Sequence, residues 1–146
     1  MIWREATRDD VPAIVAMLAA DSLGASREVA DPAAYLAAFD AMAAEGANLQ
    51  IVAEDGGRVI ACYQITFISG LSLQGTRRAL VEGVRVAPEL RGQGVGAQMF
   101  ADAEGRARAA GCRIMQLTTN AARTDAHRFY DRLGFTASHV GFKKTL

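Results

Sequence analysis

The sequence predicts an α/β protein with a central mixed sheet of six to seven strands and helices on both faces. Strand-like and helix-like apolar patterns alternate along the chain, and an Asp55-Gly56-Gly57 hairpin signal joins two strands in its first half. In its second half, a strand, a glycine-rich loop and a helix follow one another from about residue 80 to residue 110. At 146 residues the chain can bury a sizeable core, so we predict a single domain over residues 1–146.

The first 45 residues are predicted to form one strand and two helices. Ile2–Ala6 favours a short strand, and Thr7 is a suitable N-cap for the helix that follows. That helix has an apolar face with helical spacing, formed by Val11, Ile14, Val15 and Leu18. Ser22–Ala30 lacks periodicity and is expected to be a loop. Asp31-Pro32 then begins the second helix, with proline at the tolerated first position.

The middle of the chain is predicted to hold a hairpin and the central strand. Leu49–Glu54 and Arg58–Phe67 are predicted to be the hairpin strands, because both are rich in apolar and β-branched residues. Ser69–Thr76 contains two glycines and is expected to be a loop. Arg77–Val86 is predicted to be the central strand, and its Gly83 is a candidate β-bulge.

The last third is predicted to contain two helices and three strands. A helix from Val95 to about Ala110 is followed by a strand over Arg113–Thr119. A second helix, capped by Thr124 or Asp125, is expected to run to Leu133 and to end at Gly134. Two short strands are then predicted, Thr136–Val140 and Phe142–Leu146.

The glycine-rich loop is the strongest functional signal. It runs from Arg91 to Gly96, between the predicted strand and helix. Glycines let a ligand approach the backbone, and the first amides of a helix have no partner within it. These amides and the helix dipole favour an anion, above all a phosphate. We therefore predict a phosphorylated cofactor.

Two common phosphate-binding loops do not fit this stretch. A Walker loop is excluded because no Gly-Lys-Ser/Thr closes the motif. A dinucleotide fingerprint, Gly92-x-Gly94-x-x-Ala97, fails on its context. It should directly follow a strand, and the next strand should end on a carboxylate. Here Pro-Glu-Leu-Arg intervenes, and the next strand ends at Asn120 without one.

Two ordered motifs resemble the GNAT superfamily of N-acetyltransferases. Arg91-x-x-Gly94-x-Gly96, preceded by Val84-x-Val86-x-Pro88, resembles its acetyl-CoA pyrophosphate loop. Downstream, Phe129-Tyr130-x-x-x-Gly134-Phe135 is similar to the family's Phe-Tyr-x-x-x-Gly-Phe signature. The resemblance implies a GNAT-like fold and acetyl-CoA as cosubstrate, with no metal. It also implies that late strands pair two subunits, so a homodimer is a further expectation.

The resemblance also implies site residues. Glu82 matches the strand glutamate that many GNAT enzymes use as a general base or to position the amine, and Tyr130 matches the tyrosine that protonates the leaving thiolate. Cofactor contacts are expected from the central strand, the loop and the next strand end: Val84, Val86, Arg91, Gly92, Gln93, Gly94, Val95, Gly96 and Asn120.

Each of these three polar side chains has a plainer interpretation. Glu82 could be a structural carboxylate paired with Arg85 or Arg113. Tyr130 could pack in the core, as we expect Phe129 to do, and Asn120 could simply stabilise a turn.

Charge and cysteine content narrow the class of protein. Residues 1–57 carry three basic and ten acidic side chains, whereas residues 58–146 carry thirteen basic and six acidic ones. A basic second part suits a polyanionic cofactor, and an acidic first part could attract a cationic amine. No lysine- and arginine-rich run with interleaved aromatics indicates nucleic-acid binding, and no segment indicates a membrane partner. Cys62 and Cys112 lack paired spacing, which predicts reduced thiols in a cytoplasmic protein.

These observations lead to one expected function and two alternatives. We expect direct transfer of an acetyl group from acetyl-CoA to a primary amine, on a small molecule or a peptide, within a ternary complex. The alternatives are a non-catalytic sensor that binds an acyl-CoA and an enzyme that uses a different acyl group.

Overall fold

A computed structural model describes residues 1–20, 23–28 and 31–146. The described chain divides into two compact units, residues 1–116 and 117–146. The strands are β1 Ile2–Glu5, β2 Asn48–Asp55, β3 Arg58–Ile68, β4 Arg78–Val86 and β5 Ile114–Leu117. The α-helices are α1 Val11–Ala19, α2 Gly24–Arg27, α3 Pro32–Glu45, α4 Ser72–Gly75, α5 Val95–Ala109 and α6 Thr124–Arg132. Short 3-10 helices cover Arg8–Asp10 and Pro88–Leu90.

The five strands form one sheet in the order β1-β2-β3-β4-β5. The pairs β1–β2, β2–β3 and β3–β4 are antiparallel. β5 begins beside the start of β4, where the Arg113 N–H donates to the Arg77 carbonyl at 2.9 Å. A helix, α5, connects β4 to β5, as in a crossover between parallel strands. This mixed sheet confirms the predicted α/β class.

Helices cover both faces of the sheet, as predicted. On one face, Val52 and Cys62 are fully buried against Ile14 and Met17 of α1. On the other face, the Tyr63 hydroxyl donates to the Asp102 carboxylate of α5 at 2.5 Å. Burial, followed by the hydrogen bond to Asp102, raises the pKa of Tyr63, so its hydroxyl stays protonated and keeps this bond. Tyr63 thereby ties α5 to the sheet.

The turn before α1 is organised around one buried carboxylate. Asp10 is 8% exposed and accepts hydrogen bonds from the Thr7 N–H at 2.7 Å and the Thr7 hydroxyl at 3.1 Å. The Arg4 guanidinium binds both oxygens of the same carboxylate, at 2.7 and 3.0 Å. Hydrogen bonding to Arg4 lowers the pKa of Asp10 to about 2. The helical start predicted after Thr7 is confirmed.

Two further local predictions are confirmed. Gly56 and Gly57 join β2 to β3 with φ of 55° and 78°, the left-handed pair that a type I′ hairpin turn needs. Asp31 caps α3, because its carboxylate accepts from the Ala33 N–H at 2.9 Å while Pro32 takes the first helical position.

Two predicted loops contain short helical turns. Within Ser22–Ala30, residues Gly24–Arg27 form α2, and residues 22, 29 and 30 lie outside the described chain. Ser69–Thr76 includes α4, but its Leu73 and Gln74 have left-handed φ of 53° and 61°, so this segment is an irregular turn within the predicted loop. Single helical turns leave no apolar periodicity in a sequence, so the sequence pattern did not predict either of them.

The two C-terminal strands were predicted wrongly. Within the described part of the chain, residues 136–146 belong to no strand, so the sheet has five strands rather than six or seven. Val140 and Phe142 are 81% and 93% exposed. A strand needs a hydrogen-bonded partner, and an alternating sequence does not provide one by itself.

None of the described helices has the length and apolar character needed to cross a membrane.

Candidate active site

The candidate site begins at a bulge in β4. Opposite β3, Gln64 pairs with Glu82 and Cys62 pairs with Arg85, so β4 has one extra residue over this stretch. Gly83 lies there with φ of 59°, as expected for a bulge that starts with a left-handed glycine. The predicted bulge is confirmed.

The bulge changes which side chains share a face with Glu82. The alternation of a regular strand, read from the sequence alone, predicts that Glu82 shares its face with Val84 and Val86. The register instead places Glu82 opposite Gln64, and Val86 opposite Ala61. Gln64 and Ala61 are separated by three positions, so they lie on opposite faces. The prediction was wrong because the extra residue reverses the alternation.

The Glu82 side chain is exposed, although the residue lies in a strand with neighbours on both sides. Within residues 1–20, 23–28 and 31–146, no ion pair joins its carboxylate to Arg85 or Arg113. The structural interpretation of Glu82 as half of such a pair therefore has no support. Its carboxylate is accessible to a substrate.

Cys62 lies under the bulge and has the properties of a core residue. Its side chain is fully buried, and its Sγ lies 3.8 Å from the Gly83 carbonyl oxygen. Burial raises the pKa of its thiol to about 12, despite the opposing effect of Arg85. A thiol that stays protonated is a poor nucleophile. Cys62 and Cys112 are both unpaired, as predicted, and both are buried.

The glycine-rich loop follows β4 after a 3-10 turn at Pro88–Leu90. Gly92 and Gly94 have φ of 75° and 83°, which other residues rarely adopt. A Cβ at either glycine would meet no atom within 4 Å. The glycines are thus required by backbone conformation rather than by crowding within the chain, and the space beside them is open to a ligand.

Side chains of the loop brace its backbone. Arg91 donates from Nε to the Val86 carbonyl at 3.3 Å, and Gln93 donates from Nε2 to the Glu89 carbonyl at 2.9 Å. Glu89 also forms an ion pair with Arg58 of β3. These bonds tie the loop to the end of β4.

The loop leads directly into the N-terminus of α5. Gly94 is the N-cap and contributes no side-chain hydrogen bond, and the first turn contains no acidic residue. The amides of Val95 and Gly96 lie in that first turn, where helical amides lack internal acceptors. The loop, the amides and the positive helix end together suit a pyrophosphate. The residues therefore fit the predicted cofactor.

The end of β4 also offers backbone groups. β4 has nine residues and β5 has four, and the two strands start side by side. Among the described residues, no strand is assigned beside Val84 and Val86 on the β5 side. An extended ligand arm could pair with this strand edge.

The second unit contains the other two predicted side chains. Asn120 acts as a turn residue, since its Oδ1 accepts from the Ala122 N–H at 3.0 Å and its carbonyl accepts from the Arg123 N–H at 2.9 Å. Tyr130 lies on α6 and is half-buried, with its ring 5.4 Å from that of Phe129 and 5.9 Å from that of Phe135. Phe129 is itself half-buried rather than fully buried. Gly134 ends this helix with φ of 89°, as predicted.

A row of polar side chains beside Glu82 was not predicted from the sequence. Gln64 is directly opposite Glu82, and its neighbours on the same face include Asn48 and Thr66. The signal was the occurrence of Gln50, Gln64 and Thr66 within otherwise apolar strands.

Among the described residues, no cluster of His, Cys, Asp or Glu side chains forms a metal site.

The fold and the loop define an acetyltransferase, and the comparisons agree. The sequence model of the GNAT acetyltransferase family matches residues 15–135. The chain therefore belongs to the GNAT family of acetyltransferases.

The chain is also similar to individual proteins of known sequence or structure. An aminoalkylphosphonate N-acetyltransferase from Salmonella typhimurium is 47% identical over 66 residues, which are 45% of this chain and 43% of that protein. The match thus spans less than half of the relative. A transcriptional regulator from Bacillus halodurans is 43% identical in sequence, with a TM-score of 0.95 over 99% of both chains. Glucosamine-6-phosphate N-acetyltransferase from Arabidopsis thaliana, at 15% identity, shares the fold alone, with a TM-score of 0.80 over 99% of this chain and 97% of that one.

Proposed function

We propose that this GNAT acetyltransferase transfers the acetyl group of acetyl-CoA directly to a primary amine. The observation that carries the proposal is the loop at Gly92 and Gly94, which leaves open space in front of an uncapped helix N-terminus. This anion site directly follows the strand that presents the exposed Glu82. Cofactor binding is assigned to the loop residues, to the backbone of Val84 and Val86, and to Asn120.

Acetyl-CoA, when bound, supplies an acetyl group activated as a thioester. An alkylamine with a pKa near 10 is mostly protonated at neutral pH, so it must lose a proton before it can attack. Glu82 accepts that proton, directly or through water, or holds the amine in position. The Tyr130 hydroxyl donates a proton to the departing thiolate. A backbone N–H of β4 near Val84 stabilises negative charge on the carbonyl oxygen.

The acceptor is proposed to be a small aminoalkyl compound, and a peptide amine is the alternative. Support comes from the name of the Salmonella relative, which specifies an aminoalkylphosphonate as the acceptor. The acidic first part of the chain is also suited to a cationic amine. No nucleic acid or membrane is proposed as a partner.

A thermal-shift experiment with acetyl-CoA, CoA, succinyl-CoA and NAD tests the cofactor. A ligand at a hundred times its dissociation constant stabilises the folded state by about 2.7 kcal/mol, which raises Tm by about 5 to 10 °C. We expect this shift with acetyl-CoA and CoA but not with NAD. A larger shift with succinyl-CoA than with acetyl-CoA would favour the other acyl donor.

A matched pair of variants locates the cofactor. Gly94→Asp places a negative charge at the proposed pyrophosphate site and should abolish the shift. Gly56→Asp introduces the same side chain at another exposed glycine with positive φ and open surroundings, so it should keep the shift. A normal acetyl-CoA response in Gly94→Asp would show that the loop is not the cofactor site.

A second candidate function is that of a non-catalytic acyl-CoA sensor. It is favoured by one observation, the description of the 43% identical Bacillus halodurans protein as a transcriptional regulator. The two functions differ in turnover. Release of CoA from acetyl-CoA that depends on an added amine supports the enzyme, whereas a thermal shift without turnover across an amine panel supports the sensor.

Two properties of the whole protein complete the proposal. Two copies are proposed to pair, because Val140, Phe142 and Leu146 expose apolar surface that pairing could bury. Sedimentation velocity showing only monomer would refute this. The two unpaired, buried cysteines suit a reducing compartment and support a cytoplasmic location, which cell fractionation tests.

A further inference from the structure

A chain of hydrogen-bonded side chains runs from Glu45, at the end of α3, to Gln64 of β3. Asn48 donates from Nδ2 to the Glu45 carboxylate at 2.6 Å. The Asn48 Oδ1 accepts from Gln64 Nε2 at 2.8 Å and from the Thr66 hydroxyl at 3.2 Å. On the neighbouring strand β4, the residue directly opposite Gln64 is Glu82. All of these residues belong to the first unit.

The carboxylate at one end fixes the orientation of both amides. An ionised carboxylate can only accept hydrogen bonds, so Asn48 must direct its NH₂ group towards Glu45. Its carbonyl oxygen is then directed towards Gln64, which must donate from its own NH₂ group. Gln64 Oε1 is consequently left as an acceptor, and within the described chain no donor binds it.

Gln64 and the exposed Glu82 are directly opposite each other in the β3–β4 pair. Side chains directly opposite each other in an antiparallel pair share a face, with Cβ atoms about 5 Å apart. Side chains of this length, starting from Cβ atoms about 5 Å apart, can direct one acceptor each to a single nitrogen. A protonated primary amine carries three N–H donors and one positive charge, which match one neutral acceptor and one anionic acceptor.

We propose that Gln64 Oε1 and the Glu82 carboxylate together bind the acceptor as a protonated primary alkylamine. Glu45 and Asn48 act as positioning residues that hold Gln64 with its oxygen outward. The assignment rests on the proposed function and deepens it by naming an acceptor-binding residue. It also predicts selectivity, since a quaternary ammonium ion has the charge but no N–H to donate.

Binding of a simple ammonium ion tests the proposal without requiring turnover. The ¹⁵N-labelled protein is titrated with n-butylammonium chloride, and the side-chain NH₂ signals of Gln64 and Asn48 are followed by NMR. Tetramethylammonium chloride at the same ionic strength is the control ion. We expect saturable shifts with butylammonium only. Absence of saturable shifts with butylammonium, or equal shifts with both ions, would overturn the proposal.

Three glutamine variants isolate the contribution of the Gln64 oxygen. A hydrogen bond to a charged group contributes enough that Gln64→Leu should weaken butylammonium binding by about tenfold or more. Gln64→Glu loses the N–H that donates to Asn48 but places a second negative charge beside Glu82, so it should retain binding. Gln50→Leu is the matched control, because Gln50 lies on the same face opposite Gln64 but two strands away from Glu82. Unchanged binding in Gln64→Leu, or an equal loss in Gln50→Leu, would refute the role of Gln64.

The outcomes for Gln64 and for the proposed function can be separated. If amine binding depends on Gln64 but no acetyl transfer occurs, the proposed acetyltransferase activity is refuted and the proposed amine site stands. If Gln64→Leu transfers acetyl groups with an unchanged KM for the amine, the proposed amine site is refuted and the proposed acetyltransferase activity stands.

Discussion

Replacing Gly83 by alanine tests the bulge that positions Glu82. An alanine Cβ would have Leu18 Cδ2 as its nearest neighbour at 3.9 Å, which is ordinary van der Waals contact. The cost must therefore come from the backbone, since φ is 59°. A left-handed non-glycine residue costs about 1–2 kcal/mol, and the reduced entropy of the unfolded chain returns about 0.4–1 kcal/mol. We expect a net destabilisation of about 1 kcal/mol.

A second glycine-to-alanine variant should change the stability of the protein in the opposite direction. Gly105 is exposed inside α5 and has no positive φ, and an alanine Cβ at this position would meet no atom within 4 Å. Alanine is favoured over glycine in a helix by about 1 kcal/mol, so Gly105→Ala should stabilise the protein. Urea unfolding should thus separate the two variants by about 2 kcal/mol, with unchanged m-values. If the Gly83→Ala variant proves as stable as the Gly105→Ala variant, the bulge at Gly83 is absent.

The same variant connects the backbone to function. If the strained residue relaxes and the bulge is lost, the register opposite Gln64 changes and Glu82 leaves its face. Amine turnover should then fall, while the affinity for acetyl-CoA, which depends on the loop after β4, should change little. Full activity despite the measured destabilisation would show that the position of Glu82 is unimportant for catalysis.

Two further predictions concern ionisation and the second unit. Because Arg4 lowers the pKa of Asp10 from 3.8 to about 2, its stabilisation is fully present above pH 4 and is lost as the pH falls towards 2. This amounts to about 2 kcal/mol, and urea midpoints measured across that range should show a loss that Asp10→Asn abolishes. Tyr130→Phe keeps the ring contacts with Phe129 and Phe135 but removes the hydroxyl, so kcat should fall while the calorimetric Kd for acetyl-CoA stays the same. An unchanged kcat over the whole pH profile would eliminate Tyr130 as the acid.

Features governed by neighbouring residues were predictable from the sequence. The hairpin at Gly56-Gly57, the Asp31 cap and the loop before α5 each depend on φ values or hydrogen bonds within a few residues. The glycine-rich loop and the Phe-Tyr motif also identified the family, because phosphate binding requires particular residues at fixed spacing.

The tertiary structure alone decided the features that depend on strand pairing. The face of Glu82 depends on how many residues of β4 lie opposite β3, and one bulged residue at Gly83 reverses it. The orientation of Gln64 depends on the distant carboxylate of Glu45, reached through Asn48. Residues 136–146 have strand-like alternation but no described ladder. The sequence determined local conformation and the class of chemistry. Strand register and the orientation of amide side chains required the non-local hydrogen bonds that only the folded chain provides.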